Sequence, residues 1–124
     1  MSPEEKLKNA TLLIVEDDPE ALEALTVITR ALVKKVLKAS NGAEGLKMVQ
    51  MHNPDLVLSD LQMPVMTGME MIEHIKATHP KKPIIVVTIF SDESHKVPLA
   101  DRQLYKPIDR NELRRSLFEL AERL

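Results

Sequence analysis

Cysteine is absent from the sequence, which excludes disulfides, thiolate metal sites and cysteine nucleophiles. Aromatic residues are almost absent too. Phe90, Tyr105 and Phe118 are the only three, too few to build a stacking platform for single-stranded nucleic acid. The net charge of −2 offers no basic field for nucleic acid, and there is no acidic tail. Apolar runs are short, far below the ~20 residues that a membrane-spanning helix needs. The opening MSPEEKLKNA is polar and acidic, without the pattern of a signal peptide. These absences together give the expectation of a cytoplasmic protein that contacts neither membrane nor nucleic acid directly. At 124 residues the chain suits one domain, 1–124, with residues 1–10 as a polar N-terminal extension.

Short apolar runs alternate with segments of helical period. Residues 11–15 (TLLIV), 35–39 (KVLKA), 56–59 (LVLS), 84–88 (IIVVT) and 103–105 (QLY) read as strands. Between them Leu22, Leu25, Ile28 and Leu32 share a helical face, as do Ile72, Ile75 and His79, and Leu113, Leu117, Leu120 and Leu124. Helix starts are marked by Asp18-Pro19 and by Asn41, Thr67 and Asp109, each three residues before a glutamate. Five β-α units in series predict an α/β fold with a parallel sheet covered by helices on both faces. The unbroken runs 11–15 and 56–59 suit central strands.

In open parallel sheets, chemistry collects beyond the carboxyl ends of the strands. Those ends carry, in order, Glu16-Asp17-Asp18, Ser40, Asp60, Thr88 and Lys106. If the first and third strands are neighbours, Asp60 meets Glu16 and Asp17. Two carboxylates about 5 Å apart repel by roughly 3 kcal/mol at an effective dielectric near 20, so such a cluster raises a pKa or recruits a cation. An all-oxygen set without histidine or cysteine suits a hard ion such as Mg²⁺. A carboxylate beside that ion is placed to receive a phosphoryl group as an acyl phosphate. Lys106 could then pair with one phosphate oxygen and the Thr88 hydroxyl could donate to another.

The segments VEDD (15–18), LVLSDLQMPVMTG (56–68), VVT (86–88) and YKP (105–107) resemble the receiver domain of two-component response regulators. The resemblance runs from about Thr11 to the end of the chain. It implies a doubly wound, flavodoxin-like five-stranded sheet of order 2-1-3-4-5, and phosphorylation of Asp60 by a histidine kinase or phosphotransfer protein. It further implies that Asp17 and Asp60 bind Mg²⁺ directly and Glu16 through water, with the backbone carbonyl of Gln62 as a third ligand. Thr88 would report the phosphoryl group, and Lys106 would contact it ahead of a cis bond to Pro107. The output would be a change in binding to a downstream domain or protein; kinase, output and oligomeric state are not specified.

Three departures from the family pattern follow Thr88. Ile89 stands where a small residue is usual, and is expected to narrow access to Asp60. Gln103 stands three before Lys106, where an aromatic residue usually couples to the threonine; Tyr105 should face away from Lys106 by strand alternation. Eighteen positions separate Thr88 from Lys106, about one helical turn fewer than usual, and SDESHKVPLADR holds Pro98 and no apolar period. A shortened fourth helix, of one or two turns near residues 91–96, or a mobile loop is expected there.

Other conspicuous residues have ordinary readings. Asp18 and Thr67 are expected to cap helices, and Glu44, Glu70 and Glu112 to cap or face solvent. His52, His74, His79 and His95 lack metal-ligand spacing. Met48, Met51, Met63, Met66, Met69 and Met71 suit core packing or an adaptable surface. Lys34-Lys35, Lys81-Lys82 and Arg114-Arg115 are expected to be solvated. Two other functions compete. A pseudo-receiver would bind partners without phosphorylation. An aspartyl-phosphate phosphohydrolase would need a second aspartate where Gln62 stands.

Overall fold

The apolar runs do become the sheet. The computed structural model describes residues 1–124 and contains strands β1 (Thr11–Val15), β2 (Lys35–Ala39), β3 (Leu56–Asp60), β4 (Ile84–Thr88) and β5 (Arg102–Tyr105). All pair in parallel, in the order β2-β1-β3-β4-β5. β1, β3 and β4 are buried along nearly their whole length, whereas the edge strands β2 and β5 include half-buried and exposed positions. That difference is the one continuous and interrupted apolar runs predict.

Five helices cover the sheet: α1 (Pro3–Lys8), α2 (Pro19–Arg30), α3 (Gly42–His52), α4 (Gly68–Thr78) and α5 (Arg110–Ala121). Strand alternation divides the core in two. Leu12, Ile14, Leu58 and Val87 pack with Leu25 of α2 and Leu113, Leu117 and Leu120 of α5. Leu13, Val15, Val57 and Val86 pack with Val49 of α3 and Met71, Ile72 and Ile75 of α4. The caps sit where expected: Asp18, Asn41, Thr67 and Asp109 each accept a backbone N–H in the first turn of α2, α3, α4 and α5.

Residues 1–10 do more than extend the chain. Ser2 and Glu5 form a reciprocal capping box around Pro3, and the short helix buries Leu7 completely in the core beneath α5. Lys6 Nζ donates to the Glu122 carbonyl at 3.2 Å, fastening α1 to the end of α5.

A correction concerns Lys82, which is buried instead of solvated. Its ammonium donates to Asn53 Oδ1 at 2.7 Å and to the Pro54 carbonyl, and burial lowers its pKa from the usual lysine value. Nearby, Asp101 accepts from the Ile84 amide at 2.8 Å and from Lys76 Nζ at 3.0 Å, with Arg123 on its other oxygen. These contacts join α4, β4 and the segment just after α5 at the amino end of β5.

Between β4 and β5 the only helical element is a single 3₁₀ turn, Glu93–His95. Val97 is its buried anchor, filling the core beside Ile84 and Val86. The expected loss of a full helix is therefore observed, and Pro98 and the polar run before it account for it.

Candidate functional site

Parity along the strands decides which side chains meet. Glu16, Asp60 and Lys106 fall in register with Ile14, Leu58 and Leu104, on the face covered by α2 and α5. Because β1 and β3 are adjacent, the loop after β1 and the end of β3 lie side by side. Carboxylate oxygens of Glu16, Asp17 and Asp60 consequently lie within 4.8 Å of one another.

Burial and hydrogen bonding fix this group. Glu16 is 1% exposed, Asp17 faces solvent, and Asp60 lies between. Glu16 Oε2 accepts from the Asp18 amide at 3.2 Å, while Oε1 accepts from Lys106 Nζ at 2.8 Å. The same ammonium is 3.5 Å from Asp60 Oδ2, and Asp60 Oδ1 accepts from the Leu61 amide at 2.7 Å. One cation thus faces three carboxylates. Burial favours loss of the Lys106 proton, but the bond to Glu16 and the charges of Asp60 and Glu16 outweigh it and raise its pKa. Desolvation raises the Asp17 pKa as well, followed by the hydrogen bond and charge of Glu16.

The loop after Asp60 is shaped by close backbone contacts. A Cβ on Gly68 would lie 2.1 Å from the Asp60 carbonyl oxygen, so only glycine permits α4 to start there. Farther along, the Met66 amide donates to the Pro64 carbonyl at 2.8 Å across Val65, which has φ 68°. That is a γ-turn with a β-branched residue in the left-handed region, a strained arrangement. The Met66 carbonyl then accepts from the Gly42 amide at 3.1 Å, tying the loop to α3.

The structure brings together Glu16, Asp17, Asp60 and Lys106. Thr88 lies at the end of the neighbouring strand, fully buried, with its hydroxyl accepting from the Phe90 amide at 3.1 Å. The Gln62 side chain is exposed. Ser40 belongs elsewhere: its hydroxyl binds Glu44 at the start of α3. Asp18 is a cap, as expected. The Lys106–Pro107 bond is cis. Sequence reasoning marked Gln103 as a departure and missed what it does. Its amide Nε2 donates to the His95 carbonyl at 2.8 Å and its Oε1 accepts from the Val97 amide at 3.0 Å.

An acidic cluster at the carboxyl edge of a 2-1-3-4-5 sheet, with a lysine across from it, defines a class of protein. The family model for the response regulator receiver domain matches residues 12–118, and the chain belongs to that family. Receiver domains are signalling domains of two-component systems and not classical enzymes. The chain is 32% identical over 119 residues to the transcriptional regulatory protein GlrR of Escherichia coli, covering 93% of this chain and 27% of that protein. It is 33% identical over 115 residues to protein PilH of Pseudomonas aeruginosa, covering 87% of this chain and 94% of that one. A solved receiver domain from Methanospirillum hungatei superposes with a TM-score of 0.86 at 28% identity, over 93% of this chain and 96% of that one. The chain therefore spans about a quarter of the length of GlrR and nearly all of PilH. No helix is long and apolar enough to cross a membrane.

Proposed function

We propose that this chain is a phosphorylation-controlled receiver. Asp60 accepts a phosphoryl group from the phosphohistidine of a histidine kinase or phosphotransfer protein, and the modified state alters binding to a downstream domain or protein. Residues 1–124 act as one such unit, working in the cytoplasm. The observation that carries this reading is the placement of Asp60 at the sheet rim, 3.5 Å from Lys106 and within 4.8 Å of the Glu16 and Asp17 carboxylates.

In the transfer step a carboxylate oxygen of Asp60 attacks phosphorus. A new O–P bond forms as the P–N bond of the donor breaks, and the electron pair of that bond leaves on the imidazole nitrogen. Two oxygens of Asp60 are held differently: the Leu61 amide engages Oδ1, and Oδ2 faces Lys106. The fixed ammonium offsets negative charge on a phosphoryl oxygen. Return to the free state is hydrolysis of the acyl phosphate by water.

The donor set fits a magnesium ion, since it is all oxygen, carries three carboxylates and lies open on the Asp17 side. Asp17 and Asp60 would bind it directly and Glu16 through water, with the Gln62 carbonyl completing the protein ligands. The ion supplies charge neutralisation on the transferring oxygens.

Incubation with acetyl phosphate and Mg²⁺, read by intact mass, tests the reading. One added phosphoryl group is expected for the wild type, and none for Asp60→Ala or with a chelator present. A wild type that gains no mass would instead be a pseudo-receiver, which binds partners without phosphorylation.

A further inference from the structure

Gln103 occupies a strand position whose side chain faces the α3–α4 side of the core, beside Val86. Both ends of its amide are used on backbone groups of the segment between β4 and β5, the His95 carbonyl and the Val97 amide. His95 is thereby fastened to β5. Its imidazole lies flat on the ring of Phe90, with centroids 4.1 Å apart and an interplanar angle of 15°, and it is also bonded to Asp92 at 2.6 Å. Phe90 is fastened at a different place, through its amide to the Thr88 hydroxyl. The stack is thus a joint between two anchors, one on β5 and one on the hydroxyl at the end of β4.

A threonine hydroxyl has one proton to donate while it accepts from an N–H. If the Thr88 side chain turns to bring that proton to a phosphoryl oxygen on Asp60, its oxygen moves with it. The Phe90 amide must follow it or lose its acceptor. Gln103 holds the His95 backbone in either case, so the two rings must slide relative to one another. His95 also lines an open depression of about 210 Å³, together with Ser94, Leu61, Gln62, Thr67 and Met69. A shift of the stack therefore changes the shape of the surface next to the loop after Asp60.

We propose that the Phe90–His95 stack, latched by Gln103, is the element that carries the state of Asp60 to the surface in this chain. It takes the place of an inward-moving aromatic residue at position 103, where this chain has a glutamine bonded to backbone groups. The proposal rests on phosphorylation of Asp60 as set out above. Coupling of this kind requires an element with two arrangements that both sites bias, and the proposal assigns that role to the stack.

The chain has only four histidines, so ring-proton NMR reads the joint directly. Spectra are taken at one pH at which the imidazoles are neutral, with phosphorylation by acetyl phosphate and Mg²⁺ followed by intact mass in the same sample. Phe90→Leu assigns the His95 resonances, because removing the ring current moves them alone. On phosphorylation of the wild type they are expected to move toward their Phe90→Leu positions, while those of His52, His74 and His79 stay in place. Thr88→Val, compared at equal phosphorylated fraction, should abolish the movement. In Gln103→Leu the His95 resonances should already be displaced before phosphorylation. Gln103→Glu, which keeps the acceptor for Val97 and loses the donor to His95, should be displaced less and guards against misfolding of the leucine variant. A wild type that gains mass with His95 unmoved overturns the relay and leaves the phosphorylation reading intact. So does an undiminished response in Thr88→Val, or wild-type behaviour of both Gln103 variants. Absence of any mass gain overturns both.

Discussion

Lys106 Nζ lies 2.8 Å from Glu16 Oε1, joining residues ninety positions apart at the carboxyl edge of the sheet. Glu16 is 1% exposed and has no other cation beside it, so the pair neutralises a charge that folding has removed from water. Removing one member of such a pair costs more than the pair itself contributes, because the remaining charge stays buried. Lys106→Met is expected to lose about 2–4 kcal/mol of unfolding free energy without divalent ions. Adding Mg²⁺ should recover part of it. Urea unfolding with and without Mg²⁺ checks this, and equal stability of variant and wild type would contradict it.

The contact between Gly68 and the Asp60 carbonyl predicts a second loss. A methyl group at Gly68 would come within 2.1 Å of that oxygen, and the neighbour is backbone, which cannot rotate away. Gly68→Ala should destabilise the protein by about 1–3 kcal/mol through overpacking. Because the strain falls on Asp60 itself, the rate of phosphorylation by acetyl phosphate should fall as well. A variant with the wild-type urea midpoint and wild-type rate would show that the loop yields freely.

Asp101 gives a pH signature far from the site. Its burial raises the pKa, but the Ile84 amide, Arg123 and Lys76 outweigh burial and leave it below its ordinary 3.8. With the folded pKa below the unfolded one, the unfolded state binds more protons between the two values. The stabilisation is accordingly full above 3.8 and lost as pH falls through the folded value. Asp101→Asn should be less stable than wild type at neutral pH, and the gap should close on acidification below 3.8. A gap independent of pH would contradict the ion-pair account.

Ile89, the residue after Thr88, is 66% exposed, and its branched side chain is expected to narrow the approach to Asp60. Ile89→Ala is expected to speed the decay of the phosphorylated form severalfold, measured by loss of the added mass with time. An unchanged half-life would remove Ile89 from the account.

Much of the architecture was legible because it rests on local pattern. The runs TLLIV, LVLS and IIVVT are apolar on consecutive residues, and burial on both faces requires that. Asp18-Pro19, Asn41, Thr67 and Asp109 marked helix starts through chemistry confined to one turn. The meeting of Glu16, Asp17 and Asp60 was expected only if the first and third strands were neighbours, an order that the family resemblance supplied and the structure shows. What escaped depends on partners distant in sequence or on irregular backbone. Lys82 looked solvated because its acceptors, Asn53 and Pro54, lie 29 and 28 positions away. The amide of Gln103 binds backbone groups of a segment with no periodicity, so nothing local announces the latch. The helix Pro3–Lys8 is a different case. Its capping signal, Ser2 to Glu5 with Pro3 between, was in plain view, but a single apolar residue, Leu7, made no face to recognise.

The central claim is that Asp60 itself receives the phosphoryl group. Borohydride reduces an acyl phosphate to an alcohol, so a phosphorylated aspartate becomes homoserine while a free carboxylate is untouched. The protein is treated with acetyl phosphate and Mg²⁺, reduced with borohydride, and mapped by peptide mass spectrometry. Homoserine at position 60 and at no other aspartate is the expected result. Homoserine at Asp17 or Asp18, or at no position despite a gain in intact mass, would contradict the account.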